Sequence, residues 1–169
     1  MIWYILLVAA VAIERLVEVR VAERNRATSV ARGGVEFGAG HYPAMVVLHF
    51  SLLVGCLVEP IMLHRSFIPA LGWPMLAVVL AAQTLRWWCI TTLGSQWNTR
   101  VIVIPGAGRI TGGPYRLIPH PNYVAVIAEG VALPLVHTAW LTALVFSVLN
   151  AWLLSTRIKV ENTALASLT

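Results

Sequence analysis

Charged residues are scarce in this chain. Only 11% of its 169 residues are charged, whereas 59% are hydrophobic and the mean hydropathy is +0.79. A soluble domain of average composition carries roughly a quarter charged residues. One small soluble core cannot hide this excess of apolar side chains, so much of the surface is predicted to face lipid.

Cysteines and metal-ligand patterns are also nearly absent. The two cysteines, Cys56 and Cys89, both lie in apolar segments, where a small buried side chain needs no further role. No stretch has the spacing of a metal site, and no repeat or low-complexity tract divides the chain. The sequence therefore predicts one domain over residues 1–169, without a bound metal.

Long apolar segments are what the chain has in abundance. A helix needs about 20 apolar residues to cross a bilayer, and four segments reach or exceed that length. The fourth is too long for one helix and is predicted to be a hairpin that turns near Pro134–Thr138. The predicted fold is all-α, a polytopic membrane protein with about five transmembrane helices, the last two forming the hairpin. The segments are Ile2–Val21, Pro43–Leu63, Ile68–Leu93 and Pro121–Ile158.

The amino terminus lacks the features of a cleaved signal peptide, since no basic residue precedes its apolar run and no small-residue cleavage site follows it. Met1 is therefore predicted to begin a retained helix. With the N-terminus outside, every lysine and arginine except Arg65 falls at or near the cytoplasmic side of the inner membrane. An anionic leaflet then accounts for the net charge of +5, and no nucleic-acid partner is predicted.

A glycine-rich run, VIVIPGAGRITGG, invites comparison with the phosphate-binding turn of a Rossmann unit. That unit requires a helix that starts within the glycines and strands on either side of it. Here Pro114 and Pro119 interrupt the stretch that follows, and an apolar helix comes next. The sequence therefore does not predict a Rossmann domain.

Polar residues gather in the longest connector, Gly94–Asn122, which is predicted to lie in the cytoplasm. Pro121 is suited to the first position of a helix, where its missing N–H is harmless. This does not account for His120, Asn122 and Tyr123, which surround a helix N-terminus whose unpaired N–H groups favour anions.

Arg157 and Glu161 lie four residues apart near the end of the last helix, so they share one helix face. Spacing alone allows two interpretations. The pair can be a surface salt bridge, or the face can point into a site where the two charges bind groups of opposite sign.

The order of these segments resembles the isoprenylcysteine carboxyl methyltransferase family of integral-membrane enzymes. GPYRLIPHPNY, an apolar hairpin and then RIKVE are similar to the family's Gly-x-Tyr, Arg-His-Pro-x-Tyr and Arg-x-x-x-Glu. The resemblance covers roughly Leu85–Leu165. One position differs, because Pro119 stands where the family has arginine. If that arginine serves the cofactor pocket, another cation, such as Arg116, has to replace it.

The resemblance implies a pocket for S-adenosylmethionine that faces the cytoplasm and is built by the connector and the helix ends. By position, Glu161 is expected to bind polar groups of the cofactor, and Arg157 is expected to be catalytic and to hold the acidic substrate. His41 and Trp97 are further candidates for substrate contact. The residues expected to line the cofactor are Ala107, Gly108, Arg109, Ile110, Tyr115, His120, Pro121, Asn122 and Tyr123.

Longer stretches, such as GGVEFGAGHYP and FSVLNAWLLSTRIKVENTAL, are similar to bacterial membrane methyltransferases found alongside type III polyketide synthases. This implies O-methylation of a long-chain alkylpyrone or alkylresorcinol, with a functional link to such a synthase. The alternatives are an isoprenylcysteine carboxylate or a phospholipid as acceptor, or a non-enzymatic transporter or assembly subunit. A resorcinol phenol, with a pKa of about 10 by analogy with tyrosine, would need a general base, for which His41 and His120 are candidates.

Three ionisable residues, His49, Glu59 and Glu129, lie inside apolar segments. Such groups are costly in lipid unless they are paired, so they are predicted to face the helix bundle. For Glu129 the predicted role is structural, with Arg86, Asn150 or another polar group as its partner.

Overall fold

The computed structural model describes residues 1–108 and 110–168, most of which lie in five α-helices, and it confirms the predicted all-α class. Two three-residue strands, which the sequence analysis did not predict, form a small antiparallel ladder between two connectors. The elements are α1 (Ile2–Ala31), β1 (Val35–Phe37), α2 (Tyr42–Met62), α3 (Pro69–Leu93), β2 (Val101–Val103), α4 (Pro121–Leu135) and α5 (Trp140–Leu168).

Three helical stretches in the described part of the chain are long and apolar enough to cross a membrane: Ala39–Met62, Pro69–Gln96 and Trp140–Ala166. The protein is therefore an integral membrane protein with three candidate spans. α4 has only 15 residues, and α1 carries charged residues in its middle. By length and composition alone, α1 and α4 are thus not identified as transmembrane helices, although both pack in the same bundle.

α4 and α5 form the predicted hairpin, and its turn lies between Leu135 and Trp140, close to the predicted place. The carboxylate of Glu59, on α2, accepts hydrogen bonds from the backbone N–H groups of Leu141 and Thr142 at 3.2 and 2.7 Å. A carboxylate at a helix N-terminus satisfies unpaired donors and complements the helix dipole. This cap explains why an apolar helix carries Glu59.

The helices pack closely because small residues lie at their contacts. A Cβ atom on Gly130 of α4 would lie 2.0 Å from Cε1 of Phe146 on α5, so the hairpin requires glycine there. Cys56 and Cys89 are buried and form no disulfide, as expected for small core residues. The main apolar core consists of Tyr4, Val8, Val11, Leu48, Leu52, Cys56, Val79, Ala132, Leu133, Val136 and Phe146.

Four charged side chains, three of them buried and that of Arg15 partly buried, form a closed ring between α1, α3 and α4, which we call the ionic ring. Arg15 and Glu18 are 2.7 Å apart, and Arg15 and Glu129 are 3.3 Å apart. Arg86 completes the ring, at 2.6 Å from Glu129 and 3.6 Å from Glu18. Each charge thus has two neighbours of opposite sign, and the four formal charges cancel. The predicted structural pairing of Glu129 with Arg86 is confirmed.

The two connectors at one end of the bundle are tied together by β1, β2 and one carboxylate. Glu36 on β1 accepts a hydrogen bond from Arg100 at 2.7 Å and lies 3.4 Å from Arg26 on α1. The Arg100 guanidinium, which also lies 4.1 Å from the ring centroid of Tyr42, holds the pKa of the Glu36 carboxyl below its ordinary value. These contacts fix the wall of the cavity described next.

Candidate active site

A cavity of about 120 Å³, partly open to solvent, lies where α3 ends, α4 begins and the C-terminal part of α5 runs alongside. β2 forms one apolar wall, and polar side chains from the connector and the helix ends form the others. The lining residues are Leu93, Gln96, Trp97, Asn98, Arg100, Val101, Ile102, Val103, Tyr115, His120, Asn122, Tyr123, Arg157, Glu161 and Leu165.

A short turn, Gly113–Arg116, places Tyr115 at the cavity. Gly113 has φ of 55°, and a Cβ there would lie 2.5 Å from Oγ1 of Thr92, so glycine is what lets the turn pack this closely on α3. The Tyr115 hydroxyl hydrogen-bonds the sulfur of Cys89, and burial raises the pKa of that hydroxyl above its ordinary value. Tyr115 therefore remains a neutral phenol at physiological pH.

Three side chains from α4 and α5 form a hydrogen-bonded chain at the centre of the cavity. The hydroxyl of Tyr123 accepts a hydrogen bond from Nε of Arg157 at 3.0 Å and donates one to Oε2 of Glu161. The ring of His120 stacks on that of Tyr123, with centroids 5.3 Å apart. Nδ1 of His120 lies 3.8 Å from Oε1 of Glu161. The predicted shared face of Arg157 and Glu161 thus points into the cavity.

Arg157 is buried, with 8% of its surface exposed, yet it forms no salt bridge with any carboxylate among the described residues. Its other hydrogen-bond partner is the sulfur of Met45 on α2, 3.0 Å from Nη1. A buried guanidinium without a counter-charge is costly unless a ligand supplies one. The geometry therefore favours an anionic group beside Arg157, and the surface-pair interpretation does not apply to this residue.

Three further polar atoms of lining residues are buried without a hydrogen-bond partner in the described chain. They are Nε of Arg100 and Nε1 of Trp97, which are donors, and Oδ1 of Asn122, which is an acceptor. Buried polar groups in folded proteins are nearly always paired. A ligand that offers both an acceptor and a donor, together with an aromatic or cationic part for the tyrosine rings, would satisfy them.

Residues 75–167 match the sequence profile of the isoprenylcysteine carboxyl methyltransferase family, which is more than half of the chain. The chain belongs to that family. Every residue that lines the cavity falls inside the matched region. Family members are S-adenosylmethionine-dependent methyltransferases, and this protein is accordingly a methyltransferase that uses that cofactor.

Two relatives extend the similarity over nearly the whole chain. The uncharacterized protein YpbQ of Bacillus subtilis (strain 168) is 37% identical over 166 residues, which cover 98% of this chain and 96% of the relative. An uncharacterized protein of Haemophilus influenzae is 23% identical over 155 residues, which cover 91% of this chain and 90% of the relative. Both matches therefore extend beyond the profile match, over most of the segment that contains α1 and α2.

The structure brings together many of the residues that the resemblance implied for this methyltransferase. Ala107, Gly108 and Ile110 lie in the connector after β2 and do not line the cavity, and Pro121 is buried as the first residue of α4. Arg109 lies outside the described residues. The predicted residues that line the cavity are Trp97, Tyr115, His120, Asn122, Tyr123, Arg157 and Glu161.

Two other candidates lie away from the cavity lining. His41 ends the 3₁₀ turn Ala39–His41 before α2, and its ring packs against Gly38. Arg116, suggested as a substitute for the family arginine at Pro119, is exposed on the turn that carries Tyr115. Neither residue lines the cavity. The cations that do line it, in the described chain, are Arg100 and Arg157, both from other segments.

The first part of the connector forms a wall of the cavity that was not predicted from the sequence. Gln96, Asn98, Arg100 and β2 all line the cavity, although only Trp97 of this region was a predicted site residue. The signal was the polar run GSQWNTR directly after α3. Its meaning depends on the pairing of β2 with β1, which joins segments more than 60 residues apart.

Proposed function

We propose that this methyltransferase transfers a methyl group to an anionic oxygen of a lipophilic acceptor, a long-chain alkylpyrone or alkylresorcinol. The observation that supports this most is the position of Arg157 at the boundary between the cavity and the apolar helices, where it is a buried cation without a carboxylate partner among the described residues. An anionic acceptor oxygen would supply the missing counter-charge.

The polar atoms of the cavity are proposed to bind the cofactor. S-adenosylmethionine supplies an electrophilic methyl group on a sulfonium sulfur. The carboxylate of Glu161 and Oδ1 of Asn122 would accept hydrogen bonds from it, and Nε1 of Trp97 would donate one. The rings of Tyr115 and Tyr123 would face its cationic part, since aromatic faces attract cations. Ala107, Gly108, Arg109, Ile110 and Pro121 remain predictions from the family pattern alone.

A second, apolar groove of about 770 Å³ runs between α2 and α5 and fits the tail of such an acceptor. The end of the groove nearest the cavity includes Ala44 and Leu153. Ala44 is next to Met45, the hydrogen-bond partner of Arg157, and Leu153 lies one helical turn before Arg157 on α5. From Arg157 to Leu141 at its far end, α5 rises about 24 Å at 1.5 Å per residue. One acceptor molecule could therefore place its anionic head beside Arg157 and its long alkyl chain in the groove.

The chain's own residues would favour the reaction by position and by charge. Arg157 would stabilise the acceptor oxyanion and orient it toward the cofactor, and the buried setting would exclude water. An acidic pyrone enol needs no base. For a resorcinol, His120 is better placed to remove the proton than His41, because it lines the cavity and lies 3.8 Å from Glu161.

The choice of a polyketide acceptor rests on the resemblance to methyltransferases that accompany type III polyketide synthases. A synthase of that class would then supply the substrate. The cavity is proposed to face the cytoplasm, because Arg100, Arg116 and Lys159 lie at its end of the bundle, whereas Arg65 lies at the other.

The test is transfer of a labelled methyl group from S-adenosylmethionine to four acceptors in detergent: an alkylpyrone, an alkylresorcinol, a farnesylcysteine analogue and phosphatidylethanolamine. We expect the highest kcat/KM with the alkylpyrone or the alkylresorcinol, and little with the amine, which Arg157 would repel. Preferential methylation of phosphatidylethanolamine would contradict the anionic acceptor. A protein that neither binds S-adenosylhomocysteine nor methylates any acceptor would favour the transporter or assembly-subunit alternative.

Glu161→Gln is expected to weaken the binding of S-adenosylhomocysteine about tenfold or more, because a hydrogen bond to a charged group contributes about 1.5–3 kcal/mol. Calorimetry on the solubilised protein measures this. Lys159→Gln is the matched control, since Lys159 is exposed on the same helix and does not line the cavity. Equal cofactor affinity in wild type and Glu161→Gln would remove Glu161 from the cofactor site.

Leu149→Trp is expected to lower kcat/KM for long-chain acceptors by about tenfold to hundredfold, because a tail that cannot enter the groove displaces the reacting oxygen. A short-chain analogue should be methylated normally. Val148→Trp is the matched control, since Val148 is the next residue, is 62% exposed and does not line the groove. If the ratio of kcat/KM for long-chain and short-chain acceptors is the same in Leu149→Trp and Val148→Trp, the groove does not hold the acceptor tail.

A further inference from the structure

We infer that Tyr123 is a positioning residue that keeps Arg157 and Glu161 apart, so that each charge remains available to a ligand. This inference rests on the proposed function, in which Arg157 binds the acceptor and Glu161 the cofactor. Its basis is the geometry at the cavity: the two charged residues are one turn apart on α5, yet within the described chain the Tyr123 hydroxyl lies between them and they form no direct salt bridge.

A direct salt bridge is what the spacing of Arg157 and Glu161 would otherwise produce. Residues four apart on a helix have Cβ atoms about 5–6 Å apart, within reach of each other's charged ends. Arg157 is buried and Glu161 is partly buried, so solvent would screen a pair between them less than a fully exposed pair. Pairing would cancel both charges, so the cofactor would lose its carboxylate and the acceptor oxygen its cation.

Tyrosine has the chemistry that this role requires. Its hydroxyl accepts a hydrogen bond from Nε of Arg157 and donates one to Glu161, which neither a phenyl ring nor a carboxylate can do at once. Tyr123 is 8% exposed and belongs to the first turn of α4, and His120 stacks on its ring. The hydroxyl is therefore held in place by elements other than α5.

The experiment is a double-mutant cycle in which calorimetry measures the affinity for S-adenosylhomocysteine of wild type, Tyr123→Phe, Arg157→Gln and the double variant. Tyr123→Phe alone is expected to weaken binding about tenfold, because Arg157 can then pair directly with Glu161 and withdraw its carboxylate from the cofactor. In the Arg157→Gln background no guanidinium can capture Glu161. Tyr123→Phe should then weaken the binding of S-adenosylhomocysteine about threefold or less. The difference between the two backgrounds measures the coupling between Tyr123 and Arg157. Equal losses in both backgrounds, or none in either, would overturn the inference.

Tyr115→Phe is the matched control, because Tyr115 also lines the cavity but its hydroxyl bonds Cys89 instead of either charge. Its effect on affinity should be the same with and without Arg157. If Tyr123→Phe does not yield folded protein, as judged by its thermal unfolding, Tyr123→Met removes the hydroxyl with apolar bulk retained and takes its place in the cycle. A wild-type protein that binds no S-adenosylhomocysteine would overturn the proposed function, and this inference with it.

Discussion

Arg157→Gln is expected to lower turnover of an anionic acceptor by about two to three orders of magnitude, the usual cost of removing a group that stabilises a reacting oxyanion. Affinity for S-adenosylhomocysteine should stay close to that of wild type, because Glu161 keeps its hydrogen bond from Tyr123. The measurement is kcat and KM for the acceptor, together with calorimetry for the cofactor analogue.

Two companion variants separate charge from position. Arg157→Lys retains the cation but loses the planar guanidinium that bonds Tyr123 and Met45 together, so it should recover only part of the activity. Arg116→Gln removes an exposed arginine near the same cavity and should leave turnover unchanged. If Arg116→Gln is as damaging as Arg157→Gln, Arg116 has taken over the role of the family arginine that Pro119 replaces. Unchanged turnover in Arg157→Gln would show that the assignment of Arg157 is wrong.

Glu129→Met is expected to destabilise the protein by about 3–5 kcal/mol, because it leaves the ionic ring with two arginines and one glutamate in an apolar setting. Arg86→Met should destabilise the protein by a similar amount, because it leaves two glutamates and one arginine in the ionic ring. The double variant Arg86→Met/Glu129→Met should be more stable than either single variant, since Arg15 and Glu18 remain as a neutral pair at 2.7 Å. Thermal unfolding of the solubilised proteins measures all three.

The pair Glu23 and Arg26 is a suitable control for the ring. These residues are 3.7 Å apart on the exposed end of α1, with 52% and 40% of their side chains exposed. Glu23→Gln should change stability by less than about 1 kcal/mol, as for other surface ion pairs. A double ring variant less stable than both single variants would mean that the ring contributes through shape and hydrogen bonds that methionine cannot replace.

Local patterns were enough to predict most of the secondary structure. α2, α3 and the hairpin follow from apolar runs bounded by residues such as Pro69, Pro121 and Gly94, which begin or end helices. The shared face of Arg157 and Glu161 follows from their spacing on a helix. The pairing of β1 with β2 could not be predicted, because three-residue strands have almost no periodicity of their own.

By itself the sequence determined the class of the protein, its helices and its family, because apolar length, proline positions and motif order are properties of contiguous segments. Only the tertiary structure decided which charges are neutralised and which remain available. Glu59 caps α5, Glu129 closes the ionic ring, and Arg157 has no carboxylate partner among the described residues, although all three are ionisable residues in apolar helices. The physical reason is that the energy of a buried charge depends on partners that are distant in sequence, and only folding brings them together.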